Sequence, residues 1–243
     1  MNKPFDFTGW SFKLSLFAAF MSALAVLSYR LSIVDFQPAL LGLAGGAAIG
    51  LLAIVLGLIG TMRAIKAKKP SIASTTAGST LSFLVVMPIL MTVFAGVRAP
   101  LIHDITTDLQ HPPEFVAIKA LRTASDNSLD RLKPENLVAL QEAGYPDIGP
   151  LLVDRPFDQV FEQAAALVRK RGWEVSIISV ANGRIEATDA TPIMGFKDDV
   201  VIRVQTMGNQ TRVDMRSVSR VGKGDLGVNA ERIRRFMVDL GNL

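Results

Sequence analysis

The stretch WEVSIISVANGRIEATDATPIMGFKDDVVIRVQTMGNQTRVDMRSVS (residues 173–219) reads as four consecutive strands. The strand-like runs are Trp173 to Val180, Arg184 to Thr191, Asp199 to Gln205 and Thr211 to Ser219. Asn182-Gly183 and Gly208-Asn209 fall in two of the connections, and both are residue pairs that tight hairpins favour. Alternation sorts the side chains onto two faces. Ile185 and Ala187 oppose Arg184 and Glu186, and Val213 and Met215 oppose Arg212, Asp214 and Arg216. One face is expected to take an apolar layer, the other to meet water with charges paired across strands.

On either side of this meander the periodicity changes. Leu151 to Val153 is a brief strand. Pro156 sits where a helix would begin, and Phe157, Val160, Phe161, Ala164, Leu167 and Val168 recur at helical spacing up to Gly172. After the strands, Leu226, Ala230, Ile233, Met237 and Leu240 line one face of a closing helix, Leu226 to Leu240. The order β-α-β-β-β-β-α, with an antiparallel sheet and helices on one face, specifies an α+β two-layer sandwich over residues 148–243. Residues 101–147 read as a loop-rich connector. His111-Pro112-Pro113 is extended, because each proline restricts its predecessor, and Pro134 to Glu142 is a short helix stopped at Gly144.

Residues 1–100 read as a three-helix transmembrane anchor. Ala39 to Met62 is an uncharged apolar run, long enough at 1.5 Å per residue to cross a hydrocarbon core of about 30 Å. Ser71 to Val97 is also uncharged, with Pro88 as a tolerated kink. Leu14 to Tyr29 is shorter and crosses with Trp10 and Tyr29 as interfacial anchors and Lys13 snorkelling. Ala23-Leu24-Ala25 resembles a signal-cleavage site but lies inside the apolar run. Arg63, Lys66, Lys68 and Lys69 follow the second run, whereas Arg30 alone follows the first. The positive-inside rule then expects a multi-pass membrane protein, N-terminus cytoplasmic and C-terminal domain extracytoplasmic; in a Gram-negative bacterium that is the inner (plasma) membrane with a periplasmic domain. Gly42, Gly46 and Gly50 share one helix face, suited to packing within the bundle or to a helix-mediated oligomer.

The charge distribution removes one function class. The chain carries 26 Lys and Arg against 22 Asp and Glu, but eight of the former and only two of the latter lie before Leu101. The basic excess belongs to the membrane half. The folded half is slightly acidic, which argues against a phosphate-binding face, and no nucleic acid is expected as a partner. There is no cysteine, so disulfides, thiolate catalysis and zinc–thiolate sites are excluded.

Several runs resemble a bacterial family of uncharacterised proteins, the domain of unknown function fourteen ninety-nine. They are Ile102-His103-Asp104-Ile105-Thr106-Thr107-Asp108, Pro112-Pro113-Glu114-Phe115, Tyr145-Pro146-Asp147, Gly183 to Asp189, Gly195 to Val204, and Arg216 to Gly222. The resemblance implies a membrane-associated module and supplies no activity. By order of elements alone the domain is also similar to helix-grip modules of outer-membrane assembly lipoproteins, an analogy of fold.

Four groups of residues are candidates for chemistry. Asp189, Phe196, Lys197, Asp198 and Asp199 gather around one hairpin and could form a ligand-binding site, although Asp198 and Asp199, being adjacent on a strand, point to opposite faces. Gly222-Lys223-Gly224-Asp225-Leu226-Gly227 fits G-x-G-x-x-G, but no second parallel strand follows, so a flexible turn with Asp225 capping the last helix is the expectation, with Lys223 and Gly224 able to rest an anion. His103 and His111 flank Asp104 and Asp108 at a spacing that matches no metal motif. Arg232, Arg234 and Arg235 form a basic helix edge that could touch anionic headgroups or simply face water. No catalytic set and no cofactor is expected. The expected partners are the lipid bilayer and an envelope protein or lipid-like ligand. The alternative is a metal-assisted hydrolase using Asp189, Asp198 or Asp199 with a connector histidine.

Overall fold

A sheet whose strands alternate apolar and charged residues must find cover for one face and a use for the other. In the computed structural model, which describes residues 5–67, 73–132 and 134–243, both faces are covered. Lys3, Lys68, Lys69 and Ser71, which carry part of the charge asymmetry and the start of the third apolar run, lie outside the described residues. The chain divides into two units, Met1–Phe94 and Ala95–Leu243.

The first unit contains α1 (Phe7–Arg30), α2 (Phe36–Lys66) and most of α3 (Ala73–Gly96). Three stretches, Phe7–Arg30, Phe36–Lys66 and Ala77–Phe94, are long and apolar enough to cross a membrane. Small residues set the packing. A side chain at Gly42 would press on Ala25, one at Gly46 on Ser22, and one at Gly50 on Val86 and Ala18. The glycine stripe is thus occupied by α1 and α3 of the same chain. Ser11 donates to the Ala53 carbonyl at 2.8 Å, and Ser15 to the Gly78 carbonyl at 2.8 Å, so α1 is tied to both neighbours by hydroxyls without a charge.

The second unit is the α+β domain. Its sheet runs β1-β6-β5-β4-β3, entirely antiparallel, with β2 also pairing β6. The strands are β1 (Asp104–Thr106), β2 (Leu151–Val153), β3 (Glu174–Ser179), β4 (Arg184–Ala190), β5 (Lys197–Met207) and β6 (Gln210–Ser219). The helices are α4 (Leu137–Gly144), α5 (Phe157–Lys170) and α6 (Val228–Gly241), with a single 3-10 turn at Ile118–Leu121. β6 forms one edge-side scaffold: Thr211 to Val213 meets β2 and Arg216 to Val218 meets β1. The Gly208-Asn209 turn places positive φ at Gly208, the first turn position, as a type II′ hairpin requires.

The helix face holds the main core. Ile185, Ile202 and Met215 lie in one cross-strand row, and Ala187 and Val200 in the next. They pack against Val160, Phe161, Ala164 and Val168 of α5 and Ala230, Ile233, Phe236 and Leu240 of α6. Trp173 stacks on Phe236 with ring centroids 5.8 Å apart.

Two expectations are corrected here. The second sheet face does not meet water: residues Thr107 to Arg131 lie across it, and Phe115 and Ile118 form a small core with Val201 and Val218. The stretch expected as a connector therefore supplies a strand and a covering layer. The strand was hidden because β1 has only three residues, too few to show alternation, and the cover because it has no period. The last helix also begins at Val228 rather than Leu226, which sits in the preceding loop with φ of +54°.

Gly183 tests the hairpin geometry. Its φ is +55°, and a Cβ there would overlap the carbonyl oxygen of Val204, which is why the backbone can bond Val204 N to Gly183 O at 2.7 Å. Gly172 also has positive φ, +71°, but open space around it. Gly172→Ala is expected to cost about 1 kcal/mol, and Gly183→Ala at least about 1 kcal/mol more. Urea unfolding of the full chain in detergent, followed by tryptophan fluorescence, measures both.

Candidate functional site

The charged residues of the meander converge at one end of the sheet, where β4 and β6 finish and β5 begins. On the helix face, cross-strand pairing sets Asp189 beside Asp198 and Asp198 beside Ser219. Arg232, one turn into α6, reaches down to this row. It donates to Asp198 at 2.6 Å, Asp189 at 2.9 Å, Ser217 Oγ at 3.0 Å and Asn229 Oδ1 at 2.6 Å. Asn229 in turn donates to Ser219 Oγ and to the His103 carbonyl. Arg232 and Asp198 are buried, while Asp189 keeps partial access to water. Arg232 is thus not part of a solvated basic edge. Of that edge, Arg234 is paired with Asp147 and Arg235 with Glu231.

Asp199 points the opposite way, as alternation requires. Its carboxylate is fully buried and accepts from Thr188 Oγ1 at 2.7 Å, Arg122 Nε at 2.8 Å, and Arg220 Nε and a terminal guanidinium nitrogen at 3.0 and 2.8 Å. Burial pushes the Arg122 guanidinium below its ordinary value, with Asp199 opposing. Burial acts on Arg220 too, but its hydrogen bonds and the charge of Asp199 outweigh it and the value rises. Along the same face Arg216 grips Asp104 through two nitrogens at 3.0 and 2.7 Å, and Arg131 shares that carboxylate. Glu186 accepts the backbone N–H groups of Val116 and Ile118 at 2.7 and 2.8 Å and pairs more loosely with Arg184 Nε at 3.9 Å. Each of these buried carboxylates is therefore matched by charged or backbone donors, as burial of a polar group requires.

The hairpin loop between β4 and β5 is rigid by construction. Phe196 N donates to Thr191 Oγ1 at 2.9 Å, Thr191 N to Phe196 O at 2.9 Å, and Gly195 N to Thr191 O at 2.8 Å, with Gly195 at positive φ. Ile193 projects from this loop, Met194 is buried beneath it, Phe196 is half-buried and Lys197 is exposed. Of the hairpin residues, Asp189 and Asp198 meet on one guanidinium. Asp199 lies behind the sheet, and Phe196 and Lys197 belong to the loop and its rim.

At the start of α6 the expected anion position already faces an internal anion. The Asp225 carboxylate accepts from Gly227 N at 3.0 Å and Asn229 N at 2.7 Å, and burial pushes its carboxyl above the usual aspartate value. Lys223 is exposed, and Gly224 packs on Leu101. His103 Nδ1 lies 3.4 Å from the Lys223 carbonyl. Among the described residues no group of three or more His, Asp and Glu is placed to hold a metal ion. Tyr145, close to Gly227, carries a buried hydroxyl, and burial with help from Asp225 pushes its pKa up to about 12.

The family model for proteins of unknown function (DUF1499) matches residues 104–240, more than half of the chain. The chain belongs to that family. None of the curated proteins matches it. The family match begins at β1 and contains every member of both ion-pair networks, from Asp104 to Arg232, so the DUF1499 fold includes the covering segment as well as the meander.

Sequence reasoning missed Arg122, Arg131, Arg216 and Arg232 as partners. The detectable signal was in the strands: Glu186, Asp199, Asp214 and Arg216 alternate strictly with core residues, a regularity that buried pairing also produces.

Two outcomes follow from this geometry. Arg232→Ala strands Asp198 without its cation and is expected to cost about 3–5 kcal/mol in chemical unfolding, against less than about 0.5 kcal/mol for Lys223→Ala. Asp108 is held below its ordinary value of 3.8: burial would raise it, but the His111 N–H and the guanidiniums of Arg203 and Arg212 outweigh that. A depressed folded-state value stabilises fully above 3.8 and loses that contribution as pH falls through the lower value. Asp108→Asn should accordingly flatten the acid limb of a stability-versus-pH curve.

Proposed function

We propose that the protein is a membrane-anchored binding or interaction module of the bacterial envelope. In this reading the folded unit stands on the extracytoplasmic side of the inner membrane and receives an envelope protein or a lipid-like ligand. The observation that carries it is the state of the charges. Asp198 and Asp199, which a hydrolytic reaction would use as base or metal ligand, are buried and already bonded to arginines, and Asp189 shares the Arg232 guanidinium, so their oxygens are taken up within the fold. What the hairpin end offers outward is a rigid loop with an exposed isoleucine, underpinned by the Asp189–Arg232–Asp198 triad. Such a loop presents apolar surface at low entropic cost on binding. The side of the membrane is supported by the basic residues Arg63 and Lys66 at the end of α2, against Arg30 alone after α1.

The metal-assisted hydrolase has less support, because Asp199 and Asp198 face different layers and each is already paired. The two readings separate in one preparation. Purified full chain that is metal-free and carries stoichiometric protein or lipid supports the binder. Bound metal, together with loss of cellular function in a folded Asp199→Asn variant, supports the enzyme. Placement is checked by fusing reporters after Leu243: a phosphatase that works only outside the cytoplasm is expected to be active and a cytoplasm-dependent fluorophore dark. The reverse pattern rejects the extracytoplasmic assignment.

A further inference from the structure

The loop before α6 contains a conformational oddity that its own packing does not explain. Leu226 has φ of +54°, in the left-handed region where a bulky non-glycine residue is strained, yet its side chain is 45% exposed. The backbone is forced there by the grip of Asp225 on Gly227 N and Asn229 N and by Val228 N bonding the Asp225 carbonyl at 3.2 Å. The outcome is a leucine held outward on a rigid loop.

It is not alone. A Cβ at Gly96 would collide with the Leu226 side chain, a Cβ at Gly224 would press on Leu101, and Gly227 lies against Ala99. Residues 96–101 and 224–228 are therefore side by side. Together they expose Val97 at 69%, Leu101 at 67%, Leu226 at 45% and Val228 at 37%, with the exposed cations Arg98 and Lys223 among them. This is an apolar patch with basic residues interspersed, the composition of a surface that lies in the headgroup region of a bilayer.

Chain connectivity says what covers it. α3 ends at Gly96, and the first charge after its apolar run is Arg98, which belongs among the headgroups. Two residues span at most about 7 Å, the depth of the headgroup layer on one side. Gly96 therefore lies at the hydrocarbon boundary or within that layer, and Leu226, which touches it, lies at the same depth. We propose that Val97, Leu101, Leu226 and Val228 seat in the bilayer interface beside the exit of α3, with Arg98 and Lys223 on lipid phosphates. This inference rests on membrane insertion of the helices but not on which side the folded unit occupies.

The chain has no cysteine, so single-cysteine labelling is clean. Cysteine is placed at 226, 228 or 97, at the exposed reference positions 180 and 238, and at 84 within α3. Each full-length variant carries an environment-sensitive fluorophore and is reconstituted into phosphatidylcholine–phosphatidylglycerol vesicles with or without brominated acyl chains. Probes at 84, 97, 226 and 228 are expected to lose most of their emission to bromine, and probes at 180 and 238 to keep theirs. Val228→Cys, whose backbone is not strained, guards against a local disturbance at 226. Quenching at 84 and 97 without quenching at 226 and 228 overturns the seating while leaving the anchor intact. A blue-shifted but unquenched probe at 226 means that protein, a second copy or another partner, covers the patch, and overturns it as well. No quenching at 84 removes membrane insertion itself.

Discussion

The Asp199 carboxylate accepts four hydrogen bonds, from Thr188, Arg122 and Arg220, and none of it reaches water. A single buried carboxylate without such partners would cost several kcal/mol, and would neutralise by taking a proton instead. The remainder of the unit is arranged around this requirement. Arg122 comes from the segment that crosses the second face, Arg220 from the end of β6 and Thr188 from β4. Satisfying one carboxylate therefore fixes three distant pieces of chain. The same holds on the helix face, where Arg232 joins α6 to β4, β5 and β6 through Asp189, Asp198 and Ser217.

Buried ion pairs of this kind add little net stability compared with apolar side chains of equal volume, because desolvation offsets most of the attraction. Their effect is on uniqueness: a strand slipped by one residue would carry each acid to the face lacking its arginine. In this family member the two polar faces of the hairpin end thus specify register, and the apolar rows Ile185–Ile202–Met215 and Ala187–Val200 supply the driving force. The chemistry-bearing residues that looked like a site are in large part the fastening of the fold. What they hold still is above all the loop from Thr191 to Phe196, the recognition surface in the function proposed above.

Much of this was legible beforehand. The meander, α5, the hairpin turns and the three membrane-length helices follow from period, length and glycine placement, and the divergence of Asp198 and Asp199 follows from strand geometry. Burial of the charged face could not be read, because the cover is irregular. Thr107 to Arg131 has no period, and its hold on the sheet comes from guanidiniums, the side chains of Thr107 and Asn127, two backbone N–H groups and only two apolar core residues, Phe115 and Ile118. Arg232 was misread for a related reason. Its neighbours Arg234 and Arg235 are surface residues, and only helical phase, three residues after buried Asn229 and four before buried Phe236, separates one arginine of the three from the others.

The position of β6 has a consequence for how the protein is made. This strand pairs with β1, β2 and β5, and the Arg216–Asp104 bond closes a span of 112 residues. The two distant pairings, with β1 and β2, unlike the sequential hairpins of β3 to β6, form late, because loop entropy is lost before the contact compensates. Here the delay is topological as well. Until Ser219 has left the ribosome, β1 and β2 have no partner at all, and the apolar faces of α5, β4 and β5 wait without their last layer. The apolar faces are completed only when β6 and α6 arrive, so a partly made chain exposes the surface and the unpaired edges through which misassembly begins.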